Sequence, residues 1–155
     1  MLRLNRRTDY AIRVLLALSR RGENIRVPTA VIQEEMLIPP VLALQIVAEL
    51  AKGGFILTHA GRDGGIELAR PPHLITLLQV VEYFEGPIHV SECINGKIDC
   101  PFDTVCPVRR QWGHLDGIIR TALAKVTFAE LAEEARRLEQ ANFPREEVVL
   151  STNNE

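Results

Sequence analysis

Apolar and polar positions follow two rhythms along this chain, and the change of rhythm marks the elements. Tyr10 through Leu18 is an apolar stripe at helical spacing. Thr8-Asp9 offers a cap before it and Gly22 a stop after it. Val27-Pro28-Thr29 opens a short helical segment from Ala30 to Met36, with Thr29 as its cap. After a tight junction at Leu37-Ile38, Pro39-Pro40 begins a further helix through Val41, Leu42, Leu44, Ile46, Val47 and Leu50, which Gly53-Gly54 ends. The rhythm then shortens to alternation. Phe55 to His59 and Ile66 to Ala69 read as two strands about a turn at Gly61-Arg62-Asp63-Gly64-Gly65, closed by Pro71-Pro72. Two short helices and a Gly-tipped hairpin predict a winged helix-turn-helix.

Beyond the hairpin, Ile75 to Glu85 predicts a helix stopped by Gly86-Pro87. A turn-rich loop follows, too long to be an ordinary connection. From Arg109 to Lys125 a long helix carries Trp112, Leu115, Ile118, Ile119, Ala122, Leu123 and, just past its end, Val126 on one side. Thr127 and Glu130 form a capping-box pattern for a last helix reaching about Gln140, and the chain from 142 to 155 reads as a polar, flexible tail.

Composition narrows the class. Of 155 residues, 46% are hydrophobic and 25% charged, enough to bury a core. Every apolar run meets a charge, a Gly or a Pro before a membrane span is complete, and the N-terminus lacks a signal-peptide cleavage pattern. The expectation is a cytoplasmic protein with no membrane partner. The net charge of −2 hides an asymmetry. Residues 1–62 hold nine Lys/Arg against five Asp/Glu, a net +4, and residues 63–155 hold nine against fifteen, a net −6. A basic front half suggests a polyanionic partner there.

All three cysteines, Cys93, Cys100 and Cys106, lie in the loop, with six and five residues between them. An odd number of thiols argues against a disulfide framework. Three thiols in so short a polar segment suit a metal or iron–sulfur centre that takes its last ligand from elsewhere, and the spacers fit a cluster better than a zinc knuckle. Asp9, His89, His114, Asp99 and Asp103 are the candidate fourth ligands. No phosphate-binding glycine loop, catalytic carboxylate pair or metal-hydrolase motif is present, so an enzyme is not expected.

Taken in order, Thr8 to Arg13, Ile38-Pro39-Pro40 with Gln45-Ile46 and Leu50, Gly61 to Ile66 with Leu68 to Pro72, Ile75-Thr76-Leu77 with Glu85-Gly86-Pro87, and the three cysteines with Trp112 resemble one family. It is the group of winged-helix regulators that includes the iron–sulfur cluster regulator (IscR) and the nitric-oxide-sensing repressor (NsrR). The resemblance covers residues 1 to about 137. It implies a mainly α fold with a two-stranded wing, in which residues 1–87 bind DNA, 88–108 hold a cluster, and 109–141 supply a long dimerisation helix and a C-terminal helix.

The same resemblance implies a homodimer on a double-stranded DNA operator. Each subunit would hold one iron–sulfur cluster, 4Fe–4S preferred to 2Fe–2S, on Cys93, Cys100 and Cys106. In one branch of the family the fourth ligand is a His three residues past the last Cys, where this chain has Arg109. In the other it is an Asp in the first helix of the other subunit, which Asp9 matches. The implied DNA-binding set is Thr29, Pro40, Val41, Leu44, Gln45, Arg62, Gly64, Arg3 and Arg7, with Gln45 the base-reading candidate and the arginines set for phosphates. Leu42, Leu44 and Ala60 depart from the family pattern and remove hydrogen-bonding groups; the two leucines would face either the core or a thymine methyl. The function expected is a repressor whose DNA binding responds to nitric oxide, redox or iron–sulfur status. The alternative is a winged-helix metalloprotein with a structural zinc or cluster that acts through protein contacts.

Overall fold

The computed structural model describes residues 4–96 and 99–142. Arg3, two residues within the cysteine loop and the tail beyond Asn142 lie outside the described residues. Among the described residues six helices and one hairpin make a mainly helical winged helix-turn-helix: α1 (Arg6–Arg21), α2 (Thr29–Glu35), α3 (Pro40–Lys52), β1 (Ile56–His59), β2 (Gly65–Leu68), α4 (Leu77–Glu85), α5 (Pro107–Lys125) and α6 (Phe128–Asn142). A short 3-10 turn, Pro72–Leu74, joins the wing to α4.

Helix α1 is the axis of the core. Its apolar stripe buries Ala11, Val14, Leu15, Ala17 and Leu18, and it packs against α3, α4 and α6. The cap lies three residues before the expected Thr8. Asn5 is the N-cap and accepts the Thr8 N–H at 3.0 Å. Thr8 is fully buried because the Glu85 carboxylate, from the far end of α4, accepts its hydroxyl proton. Glu85 also accepts from the Asn5 backbone N–H at 2.8 Å and the Asn5 amide at 3.0 Å. That long-range clamp moved the helix start.

The chain bends by 119° between α2 and α3, the range typical of a helix-turn-helix. Thr29 is the first residue of α2 and not its cap; Pro28 occupies that place without a side-chain hydrogen bond. The wing pairs Ile56 with Leu68 and His59 with Gly65 in antiparallel register. Val27 and Ile66 exchange backbone bonds at 2.9 and 2.8 Å, fastening the wing to the strand entering α2.

After α5 the chain returns across the start of α4. The Leu77 N–H donates to the Val126 carbonyl and the Phe128 N–H to the Ile75 carbonyl, both at 2.9 Å. The expected capping box closes α6: the Thr127 N–H reaches Glu130 at 2.8 Å and the Glu130 N–H reaches Thr127 at 3.2 Å. Backbone and hydroxyl hydrogen bonds from Thr127 hold the Glu130 carboxyl below its ordinary value. Phe128, fully buried, carries α6 into the core beside α1. By contrast α5 buries a single residue, Asp116. Its apolar stripe is largely uncovered, with Val108, Leu115 and Ile118 exposed. Among the described residues no single helix is long and apolar enough to cross a membrane.

Phe128→Ala removes the anchor of the C-terminal arm. The expected loss is about 3–5 kcal/mol of unfolding free energy, read as a lower urea midpoint at unchanged slope.

Candidate nucleic-acid interface and thiol loop

The reading head is built from the turn between α2 and α3. Ile38 is buried and anchors that turn, its N–H donating to the Gln33 carbonyl at 2.9 Å. Leu37 holds a left-handed backbone (φ 53°) at the outermost point. Arg13 on α1 donates to the Met36 carbonyl at 3.3 Å and so fixes the turn against the core. On α3, Ala43, Ile46, Val47 and Leu50 face inward. Leu42 is partly buried against the core. Pro40, Val41, Leu44, Gln45 and Ala48 face outward. Of the two leucines with open alternatives, Leu42 thus faces the core and Leu44 does not.

Other members of the expected DNA-binding set divide by role. Arg62 is exposed at the wing tip and has no ion-pair partner among the described residues. Gly64 is a steric necessity, because a Cβ there would overlap the carbonyl oxygens of His59 and Gly61. Arg26 donates to the Asp63 carbonyl at 3.2 Å and braces the wing. Arg7 is paired with Glu49 on α3. The Tyr83 hydroxyl donates to the Glu49 carbonyl at 3.1 Å. Glu49 is therefore where α1 and α4 both grip the recognition helix. Thr29 is half-buried at the start of α2.

The thiol loop runs from Gly86 to Cys106. Among its described residues it contains neither helix nor strand, and Ile88 is the one that is buried. Polar bonds hold it instead. Asp116, only 6% exposed, accepts the Val90 N–H at 2.7 Å and bonds His89 Nδ1 at 3.0 Å. Arg109 donates through Nε to the Cys93 carbonyl at 3.1 Å and through its guanidinium to the Asp103 carbonyl at 3.4 Å, and it pairs with the Asp103 carboxylate. Cys106 is the N-cap of α5, its Sγ accepting the Arg109 N–H at 3.4 Å. Cys93 Sγ lies 3.0 Å from the Ser91 hydroxyl.

All three thiols are free and half-buried. No three His, Cys, Asp or Glu side chains among the described residues already surround one ion position. Of the candidate fourth ligands, His89 and Asp103 are engaged by Asp116 and Arg109. Asp99 and His114 are exposed. Asp9 stands outward on α1 with its side chain 51% exposed, paired with Arg13 at 2.8 Å. The donor set is nonetheless chemically apt for an iron–sulfur cluster: three soft sulfur donors, two with a hydrogen-bonding group at the sulfur, on a segment with almost no core of its own.

Three residues that matter here escaped the sequence reading. Asp116 carried a signal, a lone carboxylate amid an apolar helical stripe. Glu85 carried none, because its partners lie 77 and 80 residues away, and the bonds of Arg109 carried none either, although Asp103 and Cys93 lie only 6 and 16 residues away. Arg109→Met should raise amide hydrogen exchange in residues 90–106 by about ten-fold, the equivalent of one charged hydrogen bond, and leave Ile46 and Leu50 protected as before.

Comparison with known proteins gives four points of reference. Residues 4–134 match the model of the Rrf2 family, described as an iron-dependent transcriptional regulator. The chain is similar to the HTH-type transcriptional regulator NsrR of Bacillus licheniformis, at 32% identity over 109 residues, 70% of this chain and 76% of that protein. Among solved structures it resembles CymR, the global cysteine regulator of B. subtilis, with a TM-score of 0.73 at 21% identity, over 86% of this chain and 98% of the other. It also resembles IscR of T. potens, with a TM-score of 0.70 at 21% identity, over 89% and 91%.

Proposed function

The chain belongs to the Rrf2 family of transcriptional regulators, and on that premise we propose that it is a homodimeric repressor whose hold on duplex DNA follows the state of an iron–sulfur cluster carried by Cys93, Cys100 and Cys106. The observation that carries this reading is the loop itself. Three half-buried thiols sit on a segment tied at one end to α5 through Asp116 and at the other through Arg109. Bound there, a 4Fe–4S cluster, one per subunit, supplies a redox-active centre open to nitric oxide or to changes in iron–sulfur supply. Asp9 of the partner subunit is the proposed fourth ligand, which its outward position on α1 allows.

Dimerisation is assigned to α5. A helix of nineteen residues that buries one side chain and exposes Val108, Leu115 and Ile118 needs a second apolar surface. A regulator that reads DNA works in the cytoplasm with it, and the family contains regulators and not enzymes.

The chain's own residues provide the link between loop and reading head. Glu85 joins the start of the loop to the N-terminus of α1. Arg7 on α1 and Tyr83 on α4 both hold Glu49 on α3. Arg120 on α5 pairs with Glu82 on α4. An ordered loop therefore fixes α1 and α4, and through Glu49 fixes the tilt of α3. Two copies of α3 must meet half-sites about one DNA turn apart, so tilt controls affinity.

The test uses the full chain purified without oxygen, with a duplex selected from a random library as probe. Wild type should carry iron and acid-labile sulfide. Cys93→Ser should lose both and bind about 5–150-fold more weakly, the range of an ordinary coupling energy. Equal affinity of the two proteins, or a colourless wild type with one zinc per chain, would contradict the reading.

A further inference from the structure

The outward face of α3 is unlike a surface built to form hydrogen bonds with bases. Val41 is 71% and Leu44 68% exposed, and Leu37 at the adjoining turn is 80% exposed. The helix begins at Pro39-Pro40, so two of the backbone N–H groups that a helix N-terminus ordinarily offers are missing. Gln45 is the one outward side chain of the first two turns that carries a donor or an acceptor.

The half of the chain that carries this apolar strip is net basic, +4 over residues 1–62. Glu35, Glu49 and Asp9 are neutralised by Arg21, Arg7 and Arg13. Arg62 on the wing and Arg6 at the start of α1 are exposed and without an ion-pair partner among the described residues. An apolar strip on a net basic half of the chain matches one polyanion in particular: duplex DNA whose major groove presents methyl groups.

We propose that Val41 and Leu44 select the operator by packing on thymine C5-methyl groups, with Gln45 reading an adjacent adenine; this rests on the DNA-binding reading above. Thymine alone among the unmodified bases shows a carbon group at the major-groove edge. Leu44 against guanine or cytosine would cover a polar edge and leave it unpaired, a penalty that rejects those bases. Val41 and Leu44 lie three residues apart on one helix face, about 4.5 Å along the axis, close to the roughly 3.4 Å step between base pairs. They can therefore address neighbouring pairs, and Gln45 can take adenine through its paired donor and acceptor. The half-site centre is accordingly a run of T·A pairs recognised mainly by shape and methyl contact.

The test begins with the full chain, purified without oxygen, selecting duplexes from a random library. The best duplex is then made with thymine or with deoxyuridine at the central T positions, which removes only the methyl groups. Wild type should lose about four-fold in affinity for each buried methyl, and about ten-fold or more when both half-sites lose theirs. Leu44→Ala, on an exposed site where alanine favours the helix, should bind the thymine duplex more weakly and show little difference between the two duplexes. Equal wild-type affinity for both duplexes would overturn the methyl assignment while leaving DNA binding intact. An undiminished difference in both Leu44→Ala and Val41→Ala would overturn it as well. A library from which no duplex is enriched would overturn the DNA-binding reading, and this inference with it, in favour of a protein surface on α3.

Discussion

A loop with almost nothing to bury must be held by polar bonds, and the rest of this molecule is arranged around that constraint. Between Gly86 and Cys106 only Ile88, among the described residues, enters the core. Asp116 and Arg109 do the holding, while Glu85, just before the loop, clamps the start of α1. Asp116 reaches back 26 and 27 residues to Val90 and His89, and Arg109 reaches back 16 to Cys93 and 6 to Asp103. Such a segment is stable only while its few contacts persist, which places it at the low-stability end of the structure. The proposed sensing role suits that placement, because a ligand shifts an equilibrium only if two states lie within a few kcal/mol of each other.

The opposite end of the molecule is rigid. Helix α1 buries Ala11, Leu15 and Ala17 completely, and α3 does the same with Ile46 and Leu50. Between these two regimes stand a small number of joints. Glu85 fixes the first turn of α1, while Arg7 and Tyr83 meet on Glu49. In the proposed mechanism a change of order in the loop would reach α3 through helices that move as bodies, because close-packed interiors transmit displacement and do not absorb it. Helix α5, anchored at its C-terminal end by the bonds around Ile75 and Phe128, projects its uncovered face where a second copy would double the reading head.

Much of this was legible in the sequence because it is local. The Pro39-Pro40 start, the Gly53-Gly54 stop, the hairpin about Gly64 and the Thr127–Glu130 capping box each depend on residues a few positions apart, and each stands where the pattern placed it. Most of the failures are non-local; the displacement of Thr29 by Pro28 as the cap of α2 is the local one. Thr8 reads as a cap by its own chemistry, yet it is buried under Glu85 and the cap is Asn5. Arg7 reads as a phosphate contact, yet it also braces α3. Leu42 and Leu44 are the same residue type two positions apart, and only the helix phase separates the core residue from the exposed one. The thiols were legible as a donor set; the bonds that present them were not.

The central claim is that the thiol loop is an iron–sulfur site in a paired molecule, and a native mass spectrum of the oxygen-free protein tests it most directly. The account predicts a dimer heavier than two bare chains by two 4Fe–4S clusters. A dimer carrying no added mass, or two zinc ions in place of iron and sulfide, would contradict it.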